Sequence, residues 1–260
     1  LIKGVKMKSW LLNWGFITVF AFAGQNDTTL SFDTSEGTLI SVDISPNGKT
    51  IAFDLLGHIY LMPLSGGTAE AITKGTSWNM LPRFSPDGEK ILFTSDRSGS
   101  DDLWVQNIKT GNMKNISKMD IPVHQGTWSA DGKHVFGTAL NMKVRHPVYR
   151  FNMYGKKQEI IPAGSRSPVN HFAMHPTNNL IYFSHGDGPL YRSGDRIKTY
   201  NIQNGEIKTY VDRAGGAANP TLSQDGKFLA YVHRDDRQTV LVVRNIKTNE
   251  EKIVNRNLDF

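Results

Sequence analysis

Ser85-Pro86-Asp87-Gly88-Glu89-Lys90, followed at once by the apolar run Ile91-Leu92-Phe93, is the stretch that decides the fold. Proline presets φ at the first central position of a turn, aspartate bonds its own backbone, and glycine accepts a positive φ. The segment is a tight hairpin turn, and it recurs. It stands as Ser45-Pro46-Asn47-Gly48-Lys49 before, and as Ser129-Ala130-Asp131-Gly132-Lys133 and Ser223-Gln224-Asp225-Gly226-Lys227 after. A degraded copy, His175-Pro176-Thr177-Asn178-Asn179, lies between these last two. From Gly48 through Gly88, Gly132 and Asn178 to Gly226 the steps are 40, 44, 46 and 48 residues.

What surrounds each turn repeats with it. A short apolar strand follows, such as Ile51-Ala52-Phe53 or Leu229-Ala230-Tyr231, and then an alternating one, such as Leu103-Trp104-Val105. A second turn, such as Lys109-Thr110-Gly111, leads to a more polar strand at 113–116, and a strand ahead of each motif, such as 81–84, brings the number to four. Four antiparallel strands per repeat predict an all-β chain, a β-propeller of four-stranded blades with five repeats, at about 36–74, 75–119, 120–163, 164–212 and 213–256. A two-sheet sandwich would not repeat its turn chemistry in phase. The lead-in, 24–35, holds an alternating stretch at 28–33 that reads as a lone strand for the last blade. Two closures stay open: five blades that close as they stand, or a ring that continues past Phe260, the latter being the expectation.

With 38% hydrophobic and 21% charged residues and a mean hydropathy of -0.38, the composition is ordinary for a globular chain. It excludes a disordered chain and a polytopic membrane protein. There are no cysteines, hence no disulfide framework and no cysteine-based metal or redox site. The formal charge of +6 is concentrated at the start: Lys3, Lys6 and Lys8 precede an uncharged stretch from Trp10 that ends in Ala21-Phe22-Ala23. A basic region, an apolar region and small residues at the cut describe a signal peptide over 7–23, with 1–6 as upstream residues before Met7. The expected location is therefore exported, periplasmic or extracellular, with no membrane span after cleavage. The remaining basic residues are spread through turns, so no nucleic-acid partner is expected.

The run Pro82-Arg83-Phe84-Ser85-Pro86-Asp87-Gly88-Glu89-Lys90-Ile91-Leu92-Phe93-Thr94-Ser95-Asp96-Arg97, with Gly99 and Asp102-Leu103-Trp104-Val105 after it, resembles the repeats of TolB-type β-propellers. The first repeat, from Glu36-Gly37-Thr38 through Ser45-Pro46-Asn47-Gly48-Lys49 to Gly57-His58-Ile59-Tyr60, resembles the N-terminal propeller of large secreted bacterial amidohydrolase-like proteins. The tail, Tyr231-Val232-His233-Arg234 to Arg244-Asn245-Ile246, fits the same group. The resemblance implies a metal-dependent barrel after the propeller, as a C-terminal catalytic domain missing from this chain. No His-x-His pair occurs here, so it assigns catalysis to no residue.

The residues themselves offer little chemistry. His171 and His175 have a spacing that places two zinc ligands on one helical face, but here they flank a strand and a turn. Ser98-Gly99-Ser100 and Ala163-Gly164-Ser165 lie in loops, not at a nucleophile elbow. Asp96 and Arg97 read as an ion pair fixing a loop, and Asp101-Asp102, Asp187 and Asp195 lack the converging oxygens that calcium wants. Trp78, Trp104 and Trp128 read as aromatics filling the wedges between blades. Catalytic, cofactor and metal residues are accordingly none.

Binding is the stronger expectation, with a protein or peptide as partner. Residues just before the inner strands border one mouth of a propeller's channel. The repeat alignment places Asn79, His124, Gln125, Asn170, His171 and Asn219 there. The leading reading is a non-catalytic interaction or substrate-gating module, N-terminal to an amidohydrolase-like domain. The alternatives are the propeller of a prolyl-oligopeptidase or tricorn-like serine peptidase, and a stand-alone periplasmic binding protein.

Overall fold

The computed structural model describes residues 40–140, 146–161, 170–186, 194–236 and 238–256. The expected signal peptide, the lead-in strand, Ala163-Gly164-Ser165 and Asp187 lie outside them. Blade 1 consists of β1 (Val42–Ile44), β2 (Thr50–Leu55), β3 (His58–Pro63) and β4 (Glu70–Ala71). Blade 2 has β5 (Asn79–Phe84), β6 (Lys90–Ser95), β7 (Asp102–Asn107) and β8 (Met113–Asn115). Blade 3 has β9 (Val123–Trp128), β10 (His134–Ala139), β11 (Val148–Asn152) and β12 (Lys157–Ile161). Blade 4 has β13 (Asn170–Met174), β14 (Leu180–His185), β15 (Arg196–Asn201) and β16 (Ile207–Val211). Blade 5 has β17 (Ala217–Leu222), β18 (Phe228–Asp235), β19 (Gln238–Asn245) and β20 (Glu251–Asn255). Each sheet is an antiparallel meander in chain order, and no described residue is helical. The five blades stand in a ring, a five-bladed β-propeller.

The repeated turn works as its residues dictate. In blade 2 the Ser85 hydroxyl donates to Asp87 Oδ1 at 2.5 Å and accepts from Lys90 N at 2.9 Å, while Glu89 N donates to Asp87 at 3.0 Å. The same three bonds recur around Ser129 and Asp131 and around Ser223 and Asp225. Asn47 makes them in blade 1 without a charge. In blade 4, His175 does the serine's work: its Nδ1 accepts from the amides of Thr177 and Asn178, at 3.3 and 3.2 Å. That fixes the proton on Nε2, which donates to Gly226 O at 3.1 Å in the turn of the next blade. Gly226 is required twice over. Its φ is +70°, and a Cβ would meet the His175 ring at 2.6 Å.

Apolar cores fill four seams between blades. Leu92, Leu103 and Val105 of blade 2 pack against Val123, Trp128 and Phe151 of blade 3. Comparable clusters join blades 1 and 2 through Ile59 and Phe93, blades 3 and 4 through Phe136 and Phe183, and blades 4 and 5 through Tyr182 and Tyr231. Both faces of the middle strands are buried for this reason, which is why they read as continuous apolar runs. Between blades 5 and 1 the described residues share no such core. The apolar cluster of blade 1 on that side, Phe53, Leu55 and Tyr60, contains no residue of blade 5. Gln224, which stands where other turns have proline or alanine, donates across this seam to Ser45 O at 2.9 Å.

The expected wedge aromatics divide. Trp128 is buried and donates its Nε1 to Arg83 O at 3.1 Å, and Trp104 packs on the core between blades 1 and 2. Trp78 is 54% exposed and lies on the Gly57 turn. The expected Asp96–Arg97 ion pair does not form. Arg97 instead donates to Asn79 Oδ1 at 2.5 Å and Ser95 Oγ at 3.0 Å and stacks over Trp104, while Asp96 accepts from Trp78 N at 2.8 Å. The guanidinium's planar face and fork suit it to this inward, neutral-partner role better than a loop charge pair would.

Candidate functional site

The inner strands carry a shared irregularity. In blades 2 to 5 two residues of the inner strand oppose one of its neighbour: Leu81-Pro82 against Phe93, Gln125-Gly126 against Gly137, His171-Phe172 against Phe183 and Asn219-Pro220 against Tyr231. The first residue of each pair is left-handed, with φ of 58°, 55°, 50° and 54°. This is a β-bulge whose left-handed position holds a side chain where glycine is usual. Blade 3 has glycine at both neighbouring positions, Gly126 and Gly137. Their space is taken by Leu92 and Leu103 of blade 2, whose methyl carbons would lie 2.7–2.9 Å from an added Cβ.

The six residues expected at a channel mouth all lie within the inner strands, not ahead of them. Three occupy the bulge: Gln125, His171 and Asn219. Gln125 reaches across a seam, its Oε1 accepting from His171 N at 2.8 Å, and Asn219 N donates to Ser184 Oγ of blade 4 at 2.9 Å. His171 keeps solvent contact but is crowded by protein. Desolvation, and then the charge of Arg83, lower its pKa, with Asp195 pulling the other way. His124 pairs with Asp101 across the next seam, Nε2 to Oδ2 at 2.9 Å. Asn170 opens β13 opposite Ser184. Asn79 belongs to the frame: it is fully buried, donates to Gly57 O and Ser77 O, and accepts from Arg97.

Two residues beyond the left-handed position in blades 2 to 5, and at the matching register of β1, the inner strands converge again, on Asp43, Arg83, Thr127, Ala173 and Thr221. These are equivalent positions, one per blade, and all five line a cavity of about 490 Å³ on the ring axis. Its wall continues through Ile44, Phe84, Trp128, Met174 and Leu222 to the turn residues Pro46, Pro86, Ala130, Pro176 and Gln224. A cavity of this size, with apolar and polar groups in near-equal share, has room for a ligand or a peptide segment. Its charges are Asp43 and Arg83. Asp43 Oδ2 accepts from Phe84 N at 2.7 Å; burial pushes the carboxyl pKa up, against the opposing influence of Arg83 and backbone amides. The sequence reading missed this ring, although the column was there to read: each member stands two residues before the serine, or His175, of its turn.

Among the described residues, the side chains weighed for catalysis or metal binding lie as follows. No three His, Asp or Glu side chains converge as a metal set, His175 is locked beneath Gly226, and Ser98 Oγ donates to Asp102 at 2.6 Å within its loop. No helix there is long and apolar enough to cross a membrane.

Solved structures share the architecture. TolB from Acinetobacter baumannii matches with a TM-score of 0.68 at 22% identity, over 87% of this chain and 57% of its own. A putative TolB from Agrobacterium tumefaciens matches at 0.72 and 17%, over 88% and 84%. The tricorn protease matches at 0.56 and 14%, over 89% and 33%. Among curated proteins the chain is 23% identical to the uncharacterized peptidase YuxL of Bacillus subtilis over 67% of its own length. It is 33% identical to tricorn protease homolog 1 of Streptomyces coelicolor over 34%. The chain spans only 24% and 8% of these two relatives. With residues 17–192 matching the model of the TolB beta propeller domain, and five blades bearing its turn in phase, the chain belongs to the TolB β-propeller family.

Proposed function

We propose that this propeller is exported and non-catalytic, and acts through its channel as a protein-interaction or substrate-gating module. The observation that carries the reading is the axial cavity, to which every blade contributes the same strand position, so that its wall is a property of the whole ring. The basic and apolar pattern over 7–23 supports export. The mixed wall, with threonines and one Arg and one Asp among apolar side chains, suits an extended peptide better than a reaction centre. In the parent molecule the propeller precedes an amidohydrolase-like catalytic domain and shapes access to it.

A second reading has its own support. The relatives named as peptidases, and the tricorn protease among the structural matches, favour a propeller attached to a serine peptidase. Coding sequence beyond Phe260 separates the two: a His-x-His barrel strand upholds the first and a Gly-x-Ser-x-Gly elbow the second. For the channel itself the test is photocrosslinking, with a benzophenone side chain placed at Thr221 in the cavity or at Lys252 on the outermost strand. Adducts from position 221 and none from 252 are expected. Adducts from 252 alone, or turnover of amide or ester substrates by the purified chain, would refute the proposal.

A further inference from the structure

Arg83 is the one cation among the residues lining the cavity, and it makes no ion pair with a described residue. Its Nη1 donates to Pro82 O at 2.7 Å, while Nε and Nη2 have no hydrogen-bond partner among the described residues. The one carboxylate on the wall, Asp43, stands outside ion-pair distance and is held by the amide of Phe84. A guanidinium carries five N–H donors in a planar fork, and its Nε–Nη2 edge matches a carboxylate with two parallel bonds. The fork is also rigidly mounted. Pro82 before it is buried, its own carbonyl accepts from Trp128 Nε1 at 3.1 Å, and Phe84 N after it is clamped by Asp43. Such mounting is what a recognition group needs.

We propose that Arg83 receives the C-terminal carboxylate of a peptide, whose last side chains lie against Phe84, Trp128, Met174 and Leu222. The inference rests on the channel-binding reading above and adds the chemistry of the ligand. The walls choose among anions. A sugar acid would leave Phe84, Trp128, Met174 and Leu222 without apolar partners, and a phosphate would bring a second negative charge toward Asp43.

The test is fluorescence anisotropy with an N-terminally labelled Gly-Gly-Ala-Leu-Phe peptide, as the free acid and as the carboxamide, on the whole chain. The acid is expected to bind at least about tenfold more tightly than the amide. Arg83→Gln should bring the acid to the level of the amide, Arg83→Lys should recover part of the difference, and unchanged far-UV circular dichroism should show both variants folded. Equal binding of acid and amide, acid binding untouched in Arg83→Gln, displacement by galacturonate or inorganic phosphate as effective as by unlabelled peptide, or no binding of either peptide each overturn the assignment. Thr221→Trp, which fills the cavity, separates the two levels. If acid and amide bind equally and both are lost in that variant, the channel still takes peptide and only the role of Arg83 falls. If neither peptide binds and position 221 yields no crosslinks, both readings fall.

Discussion

Blade 2 meets blade 3, and blade 5 meets blade 1, through the same repeat, yet the two seams are held by different physics. At the first, fully buried leucines interlock with Val123, Trp128 and Phe151, and a Cβ added at Gly132 of one turn would lie 3.6 Å from Pro86 of the other. At the second, blade 5 offers Phe228, Ala230, Val232, Leu241 and Val243 on one face, none of them fully covered and Phe228 41% exposed. Blade 1 answers with Val42 and Ile44, both exposed, and the space beside Gly48 is open where Gly132 has a proline. Among the described residues, the hydrogen bond that spans that seam is the one from the Gln224 amide to Ser45 O. A core resists separation through area removed from water, whereas a single neutral hydrogen bond contributes about 0.5–1.5 kcal/mol net. The ring is continuous, but its strength is not evenly distributed.

Equivalent truncations should expose the inequality most clearly. Leu103→Ala opens a cavity at a seam where the side chain is fully buried, and should cost about 2–5 kcal/mol in urea unfolding. Phe228→Ala at the other seam should cost under about 1 kcal/mol, in keeping with a half-exposed side chain. Equal losses would break the comparison. Overfilling the tight seam is the next largest effect: Gly137→Ala should destabilise by about 1–3 kcal/mol, since its Cβ would lie 2.7 Å from Leu103 and 2.9 Å from Val123. Gln224→Ala should lower global stability by no more than about 1 kcal/mol. It should nonetheless speed amide hydrogen exchange in β1 and β17 well before β6 or β10, because local opening begins where burial is least. Uniform acceleration in all five blades would mean that the seams are equally cooperative.

The smallest effect is one of pH, in the turns that both seams share. Bonds from Ser223, the Lys227 amide and the Lys227 amine hold the Asp225 carboxyl down at about 2. Asp131 is lowered chiefly by Ser129, and at Asp87 the Ser85 hydroxyl and its neighbours outweigh an upward push from burial. A carboxyl lowered in the folded state stabilises above its unfolded pKa, and that contribution fades as pH falls through the folded value. Native stability should therefore decline between about pH 4 and pH 2 partly through these turns. The combined Asp87→Asn, Asp131→Asn and Asp225→Asn variant should show a flatter acid limb in thermal melts, because Asn47 already makes the same bonds uncharged. An unchanged acid limb would assign the decline elsewhere.

Much of this architecture could be read from residues alone because turn chemistry is local. Ser-Pro-Asp-Gly marks a hairpin wherever it stands, and its phase marks five repeats, though not how the ring closes. His175 was legible as the serine's stand-in, but its second bond, to Gly226, belongs to a neighbouring blade 51 residues away. Asp96 and Arg97 illustrate the same limit: adjacency in sequence suggested a pair, while the fold turned Arg97 inward to Asn79 and Trp104. Asp43 and Arg83 could have been found by reading down a column of the repeat. That they share one cavity follows only from closing the ring. The unequal seams are invisible in the sequence for the same reason, since the apolar residues of blade 5 resemble those of the other blades until their surroundings are known.

Leu81, Gln125, His171 and Asn219 remain the oddest common feature. Each sits in a backbone conformation that costs a non-glycine residue about 1 kcal/mol, and the four represent three chemical classes. The scaffold thus accepts aliphatic, amide and imidazole groups in one slot without altering the strand pairing around it. For protein engineering this amounts to a ready set of randomisable codons on an invariant chassis, with glycine at any of them as the built-in stabilising control.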